Sequence, residues 1–111
     1  MVWTNVTETD SGWELSGDSV ATSSSLGALK SLNGNFNTLI IRDSDFKGIF
    51  RQSPATNEDI IIKNIKIKCN KTDNTPKYGI FTGDSENFNL NAQTVIFRNC
   101  IILNNNNGVH N

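Results

Sequence analysis

The chain has 111 residues, enough for one domain with one core and too few for a second independent one. Ten Lys and Arg against eleven Asp and Glu leave a formal net charge of -1 and a pI near 5.7, and no basic run of the kind that tracks nucleic acid is present. No apolar run approaches the ~18 residues of a membrane span, and the segment after Met1 has neither the basic start nor the apolar centre of a signal peptide, so a soluble chain touching neither nucleic acid nor membrane is expected.

The first stretch, Val2 to Val20, holds both tryptophans, Trp3 and Trp13, and is irregular. We read residues 1–37 as an N-terminal segment, a cap or a weak first coil, with the regular part at 38–111. From there a pattern recurs. Leu39-Ile40-Ile41-Arg42-Asp43-Ser44-Asp45-Phe46 aligns without gaps on Ile60-Ile61-Ile62-Lys63-Asn64-Ile65-Lys66-Ile67 and on Val95-Ile96-Phe97-Arg98-Asn99-Cys100-Ile101-Ile102. The fourth column is always Arg or Lys, and the fifth always Asp or Asn. Gly and a β-branched residue follow each copy, at Gly48-Ile49, Gly79-Ile80 and Gly108-Val109. A fainter copy can be laid on Trp13 to Val20. The starts lie about 21 and about 35 residues apart, a solenoid spacing with insertions at loops.

Within a copy the first apolar residues alternate, so Leu39 and Ile41, Ile60 and Ile62, or Val95 and Phe97 point to one side. After the fifth column the phase resets. Ile65 with Ile67, and Cys100 with Ile102, fall on the same inner side only if Asp43, Asn64 and Asn99 turn the chain. Asp and Asn suit that corner because they tolerate a left-handed backbone and bond locally through the side chain. The expected fold is therefore all-β, a short parallel β-helix of three to four coils with a corner ladder of Asp43, Asn64 and Asn99. An antiparallel β-sandwich is the alternative, since short strands with polar turns describe it too, but it has no reason to repeat Arg/Lys-Asp/Asn at one point of successive strands. Polar connectors carry the two prolines, Pro54 and Pro76. A further polar insertion brings Phe88 and Leu90. The last repeat stops at Asn111, so either more chain or a partner is expected over it.

The pattern from Val95 to Asn111, with its relatives at Leu39 to Ile49 and Ile60 to Ile80, resembles the right-handed parallel β-helix of the pectin-lyase-like superfamily. The stretch Gly12-Trp13-Glu14-Leu15-Ser16-Gly17-Asp18 is similar to a Gly-Trp-x-Leu-x-Gly-Asn element of phage tail-fibre and adhesin-like proteins, departing from it at Asp18. The resemblance implies right-handed coils and a choice among polysaccharide lyases or hydrolases, adhesins, and phage tailspikes or fibres.

Lyases and hydrolases of this kind need paired acids, one to donate a proton while the other acts as base or nucleophile. Here the acids are dispersed. Asp43 belongs to the corner, Asp45 shares a column with Lys66 and Ile101, Glu58 and Asp59 open a strand, and Asp84 reads as a turn residue. His110 is a lone terminal histidine. No catalytic cluster, metal set or cofactor is implied, and Cys69 and Cys100 read as free thiols, with one disulfide between them as the alternative. Asn5-Val6-Thr7 and Asn70-Lys71-Thr72 fit the glycosylation acceptor pattern, relevant only in a secretory setting.

If the alternation holds, Ile40, Ile61 and Ile96 face outward and stack in a row ~5 Å apart, an apolar strip of the sort that marks an interface. Arg42, Lys63 and Arg98 would form a basic rim beside it, for an acidic neighbour or an acidic glycan. The expectation from sequence is a non-enzymatic structural or adhesive module of a virion appendage, virion-borne or extracellular, assembling as a homo-oligomer with a trimer favoured. The alternatives are a fragment of a larger carbohydrate-active β-helix enzyme, or a glycan-binding module using Trp3, Trp13 or Tyr78.

Overall fold

Runs of β-branched residues broken by single Asn residues make strands that bend without ending. The computed structural model describes residues 3–22, 24, 26, 27, 30–42, 46, 48–50, 58–69 and 94–104. Asp43, Asp45, Asp84, His110, Tyr78, Phe88, Leu90 and the prolines lie outside them. The described residues form six strands and no helix: β1 (Val6–Glu8), β2 (Gly12–Leu15), β3 (Ser19–Ala21), β4 (Ser31–Ile41), β5 (Ile60–Cys69) and β6 (Val95–Asn104). The chain is all-β.

All six strands belong to one mixed sheet in the order β1-β2-β4-β5-β6, with β3 also paired to β4. β1 and β2 run antiparallel, joined by a tight turn in which Thr9 N donates to the Gly12 carbonyl at 2.6 Å. The ladders β2–β4, β3–β4, β4–β5 and β5–β6 are all parallel. That parallel set rules out the antiparallel sandwich for the described residues. β2 lies on the first part of β4 and β3 on its second part, so the short N-terminal strands cover one long strand in two pieces. Residue 37 falls inside β4, and the sheet runs unbroken across it.

The phase reset expected at the corner is present. In β5, Ile60 and Ile62 are buried, Lys63 is exposed, and burial resumes at Ile65, Ile67 and Cys69. The residue between the two phases, Asn64, has φ +54, and its counterpart Asn99 has φ +53. A left-handed residue changes which side of the chain the next side chain takes, so both arms of the strand turn their apolar residues inward. Asn is the non-glycine residue that adopts this conformation at least cost.

The first copy of the repeat needs correcting. Leu39 pairs with Ile67 and not with Ile60, while Leu32 pairs with Ile62. Leu39 to Ile41 therefore form the arm after the bend, and the bend of β4 lies ahead of Leu39, at Asn35 and Phe36, with φ +50 and +65. Between Asn33↔Lys63 and Asn37↔Ile65 the ladder slips, because β4 spends three residues where β5 spends one. This bulge throws Phe36 into solvent, 78% exposed. Leu39-Ile40-Ile41 and Ile60-Ile61-Ile62 share the same apolar spelling but sit on opposite sides of a bend.

Inward rows run across the strands. One is Trp13–Leu32–Ile62–Phe97, and another is Ser19–Leu39–Ile67–Ile102. Leu32, Leu39, Ile41, Ile62 and Ile67 are each no more than 1% exposed, and Phe46, Ile49 and Phe50 close the same core. Trp3 is buried, its indole donating to the Ser24 carbonyl at 2.7 Å. Cys69 and Cys100 are free: Cys100 lies opposite Ile65 and Cys69 opposite Asn104, in separate rows. Burial pushes the Cys100 thiol above its ordinary value, and the thiol donates to the Ile62 carbonyl at 3.3 Å.

Candidate functional site

Two outward features are built by this register. The first is the corner column. Asn99 Nδ2 donates to Asn64 Oδ1 at 3.1 Å, so two of the three predicted ladder residues meet. Asp43 lies outside the described residues, and the bend that precedes Asn64 in the stack belongs to Asn35 and Phe36. There the amides reach backbone instead: Asn35 Nδ2 donates to the Leu15 carbonyl at 2.8 Å and Asn37 Nδ2 to the Gly34 carbonyl at 3.0 Å. Asp18 continues the edge, accepting from Thr38 N at 2.8 Å through its carboxylate and from Asn5 Nδ2 at 2.9 Å through its carbonyl.

These bonds make a direct test of the bend possible. Asn64→Ala should cost about 1–2 kcal/mol, the penalty of placing an ordinary L-residue in the left-handed region. Asn64→Gly, which also loses the bond to Asn99, should cost less because glycine takes positive φ freely. Urea midpoints of the two variants provide the measurement. Equal losses would mean that the amide bond, and not the backbone conformation, holds the bend.

The second feature is on the outward face of the first arms. Glu14 pairs with Asn33, Asn33 with Lys63, and Lys63 with Arg98, a row that passes from acid through amide to two cations across four strands. Like charges directly opposite on neighbouring strands repel, so an anionic group would be favoured beside Lys63 and Arg98. Next to this row lies a depression of about 330 Å³ lined by Thr9, Ser11, Gly12, Trp13, Glu14, Ser31, Leu32, Asn33, Ile61 and Lys63. Gly12 contributes no side chain there, and Ser31 Oγ is occupied in accepting from Ile61 N at 3.0 Å. The buried Trp13 Nε1 has no hydrogen-bond partner. Lys30 stands over the Trp13 ring, 5.8 Å from its centre, and is ion-paired with Glu8.

The residues expected from sequence are only partly brought together. Ile61 and Ile96 are direct partners, but Ile40 pairs with Lys68 on the second arm. The three isoleucines thus form no continuous strip, and each is half-buried. The cause is the same misplacement of the first copy. Lys63 and Arg98 are adjacent, whereas Arg42 is exposed just past the end of β4, outside their row. Exposed apolar surface instead gathers on β6, at Ile101 (55%), Leu103 (45%) and Ile102 (40%). Glu14 and Asn33 are not legible as partners in the sequence because the arm Ser31-Leu32-Asn33-Gly34 holds a single large apolar residue. Its one available signal was the Asn-Gly-Asn at the bend.

Chemically, the depression offers hydroxyls, an amide, one carboxylate and a cation, a set suited to hydrogen bonding a polar ligand with an anionic substituent. Among the described residues no group of three or more His, Cys, Asp or Glu is arranged to hold a metal. No helix long and apolar enough to cross a membrane occurs among them. No protein-family profile, curated protein or solved structure matches the chain.

Proposed function

We propose that this chain is a short right-handed parallel β-helix serving as a non-enzymatic structural or adhesive module of a virion appendage, of the phage tail-fibre or tailspike kind, in a homo-oligomer for which a trimer is favoured. The carrying observation is the parallel stacking of β4, β5 and β6, with left-handed Asn or Asn-Phe bends at matching points of each strand. Parallel strands in one sheet need long crossovers, and such crossovers are right-handed in nearly all proteins. Bends that stack keep every arm facing one interior, which is what a coil requires. The apolar residues exposed on β6 support association with a further surface.

Light scattering on the purified 111-residue chain tests the oligomer. A mass about three times the 12.3 kDa of one chain is expected, and a monomer at every concentration overturns it.

A second reading, a glycan-binding role without catalysis, is favoured by the depression beside Glu14, Asn33 and Lys63. Trp3 is too buried to serve as its platform. On a glycan array, binding to acidic sugars should fall when Lys63 is changed to Ala. Binding that survives that change, or no binding at all, removes this reading.

A further inference from the structure

The charges of the chain are sorted along the strand order. The first 29 residues contain Glu8, Asp10, Glu14 and Asp18 and no Lys or Arg. β5 and β6 contain Lys63, Lys66, Lys68 and Arg98 and no Asp or Glu, with Glu58 and Asp59 preceding β5. β1 and β6 are the two ends of the strand order, so one end of the molecule is acidic and the other basic.

The basic end is also apolar. Ile101 and Leu103 of β6 lie opposite Lys66 and Lys68 of β5, on the outward face. β6 thus shows apolar residues where its neighbour shows cations, and Ile102 on the inward side is exposed as well. A parallel strand apolar on both faces is the kind found covered on both. Its outer backbone edge has no paired strand among the described residues.

We infer that the β6 end of one copy takes the β1 end of a second copy of this chain, a head-to-tail contact resting on the oligomeric reading above. Charge complementarity selects this partner. A two-fold contact of β6 with β6 would set two basic ends against each other, whereas head-to-tail contact sets the end that carries Lys63 and Arg98 against the end that carries Asp10 and Glu14. Neither of these acids has an ion pair among the described residues, while Glu8 is held by Lys30. β1 runs against β2, and its other edge has no paired strand among the described residues, so joined copies would continue one sheet through an antiparallel β6–β1 ladder. Such a heterologous contact closes into a ring if its rotation permits, and otherwise propagates.

Two variants test it, each checked for folding by circular dichroism. The first, Ile101→Asp with Leu103→Asp, spoils the β6 end. The second, Asp10→Lys with Glu14→Lys, spoils the β1 end. Each alone should be monomeric by sedimentation velocity, and a 1:1 mixture should recover a dimer and stop there, since one good end of each kind remains. For the parent chain, the association constant should fall at least about threefold between about 0.05 M and about 0.5 M salt, as screening shortens the reach of the charges. If the β1-end variant associates as well as the parent, or salt leaves parental association unchanged or stronger, the head-to-tail contact is wrong although an oligomer stands. A parent chain that is monomeric throughout removes both this contact and the oligomeric reading.

Discussion

Gly12→Ala is expected to destabilise the fold by at least about 3 kcal/mol, a large part of the about 5–15 kcal/mol that holds a domain together. A Cβ at Gly12 would sit 2.1 Å from the Ser31 carbonyl oxygen and 2.9 Å from its carbon. Both are backbone atoms of β4, the strand on which β2 is laid. No rotamer change can relieve the collision, so β2 must move off β4 and take Trp13 and Glu14 with it. The φ of +154° adds strain for an L-residue. Gly34 is in the same position against the bend of β5, where a Cβ would meet the Asn64 carbonyl oxygen at 2.4 Å and Ile65 Cβ at 2.6 Å. Gly27 supplies the control. Its φ is +98, but nothing lies within 4 Å of an added Cβ, so Gly27→Ala should cost only the backbone term of about 1–2 kcal/mol. Urea denaturation of the three variants should rank Gly12 and Gly34 well below Gly27. A Gly12→Ala chain as stable as the parent would mean that β2 does not lie this close to β4.

The second large effect is positional. Leu39, Ile67 and Ile102 occupy one inward row on β4, β5 and β6. Ile67 is fully buried between the other two, while Ile102 is 40% exposed. Ile67→Ala should cost about 3–4 kcal/mol, combining lost transfer energy with a cavity that close-packed neighbours cannot fill. Ile102→Ala should cost about 1 kcal/mol, because solvent already reaches it and no enclosed void forms. Thermal midpoints read the difference. Equal losses at the two positions would show that Ile102 is buried in solution, as it would be if another strand or another copy lay on β6.

Much of this architecture was legible in the sequence because the bends are spelled by single residues. Asn64 and Asn99 interrupt runs of Ile and Val, and the switch of burial phase across them follows from the left-handed backbone that Asn accepts. The first copy of the repeat is illegible for the opposite reason. Its bend is a bulge of three residues, Gly34-Asn35-Phe36, and its first arm presents only Leu32 to the core, so the apolar Leu39-Ile40-Ile41 resembled a first arm more than the true one did. That seven-residue displacement places Ile40 and Arg42 in columns where they do not belong. Contacts made by polar residues were illegible altogether. Nothing in the order of residues told that Glu14 and Asn33 would align with Lys63 and Arg98, since that row depends on ladders between strands far apart in the chain.

The parallel ladders bear on how such a chain comes to be folded. Among the described strands β1 and β2 are the one pair joined by a local hairpin, and they are short. Every longer ladder waits for a crossover: Leu32 meets Ile62 about 30 residues later, and Ile60 meets Val95 about 35 residues later. Each closure costs chain entropy before the ladder returns any stability, which places the fold among slow, non-local topologies. On a ribosome, assembly would proceed from the N-terminal end in discrete additions, each new strand docking on the last. At every stage the newest strand is a sticky intermediate edge until another is laid on it, and among the described strands β6, apolar on both faces, is such an edge.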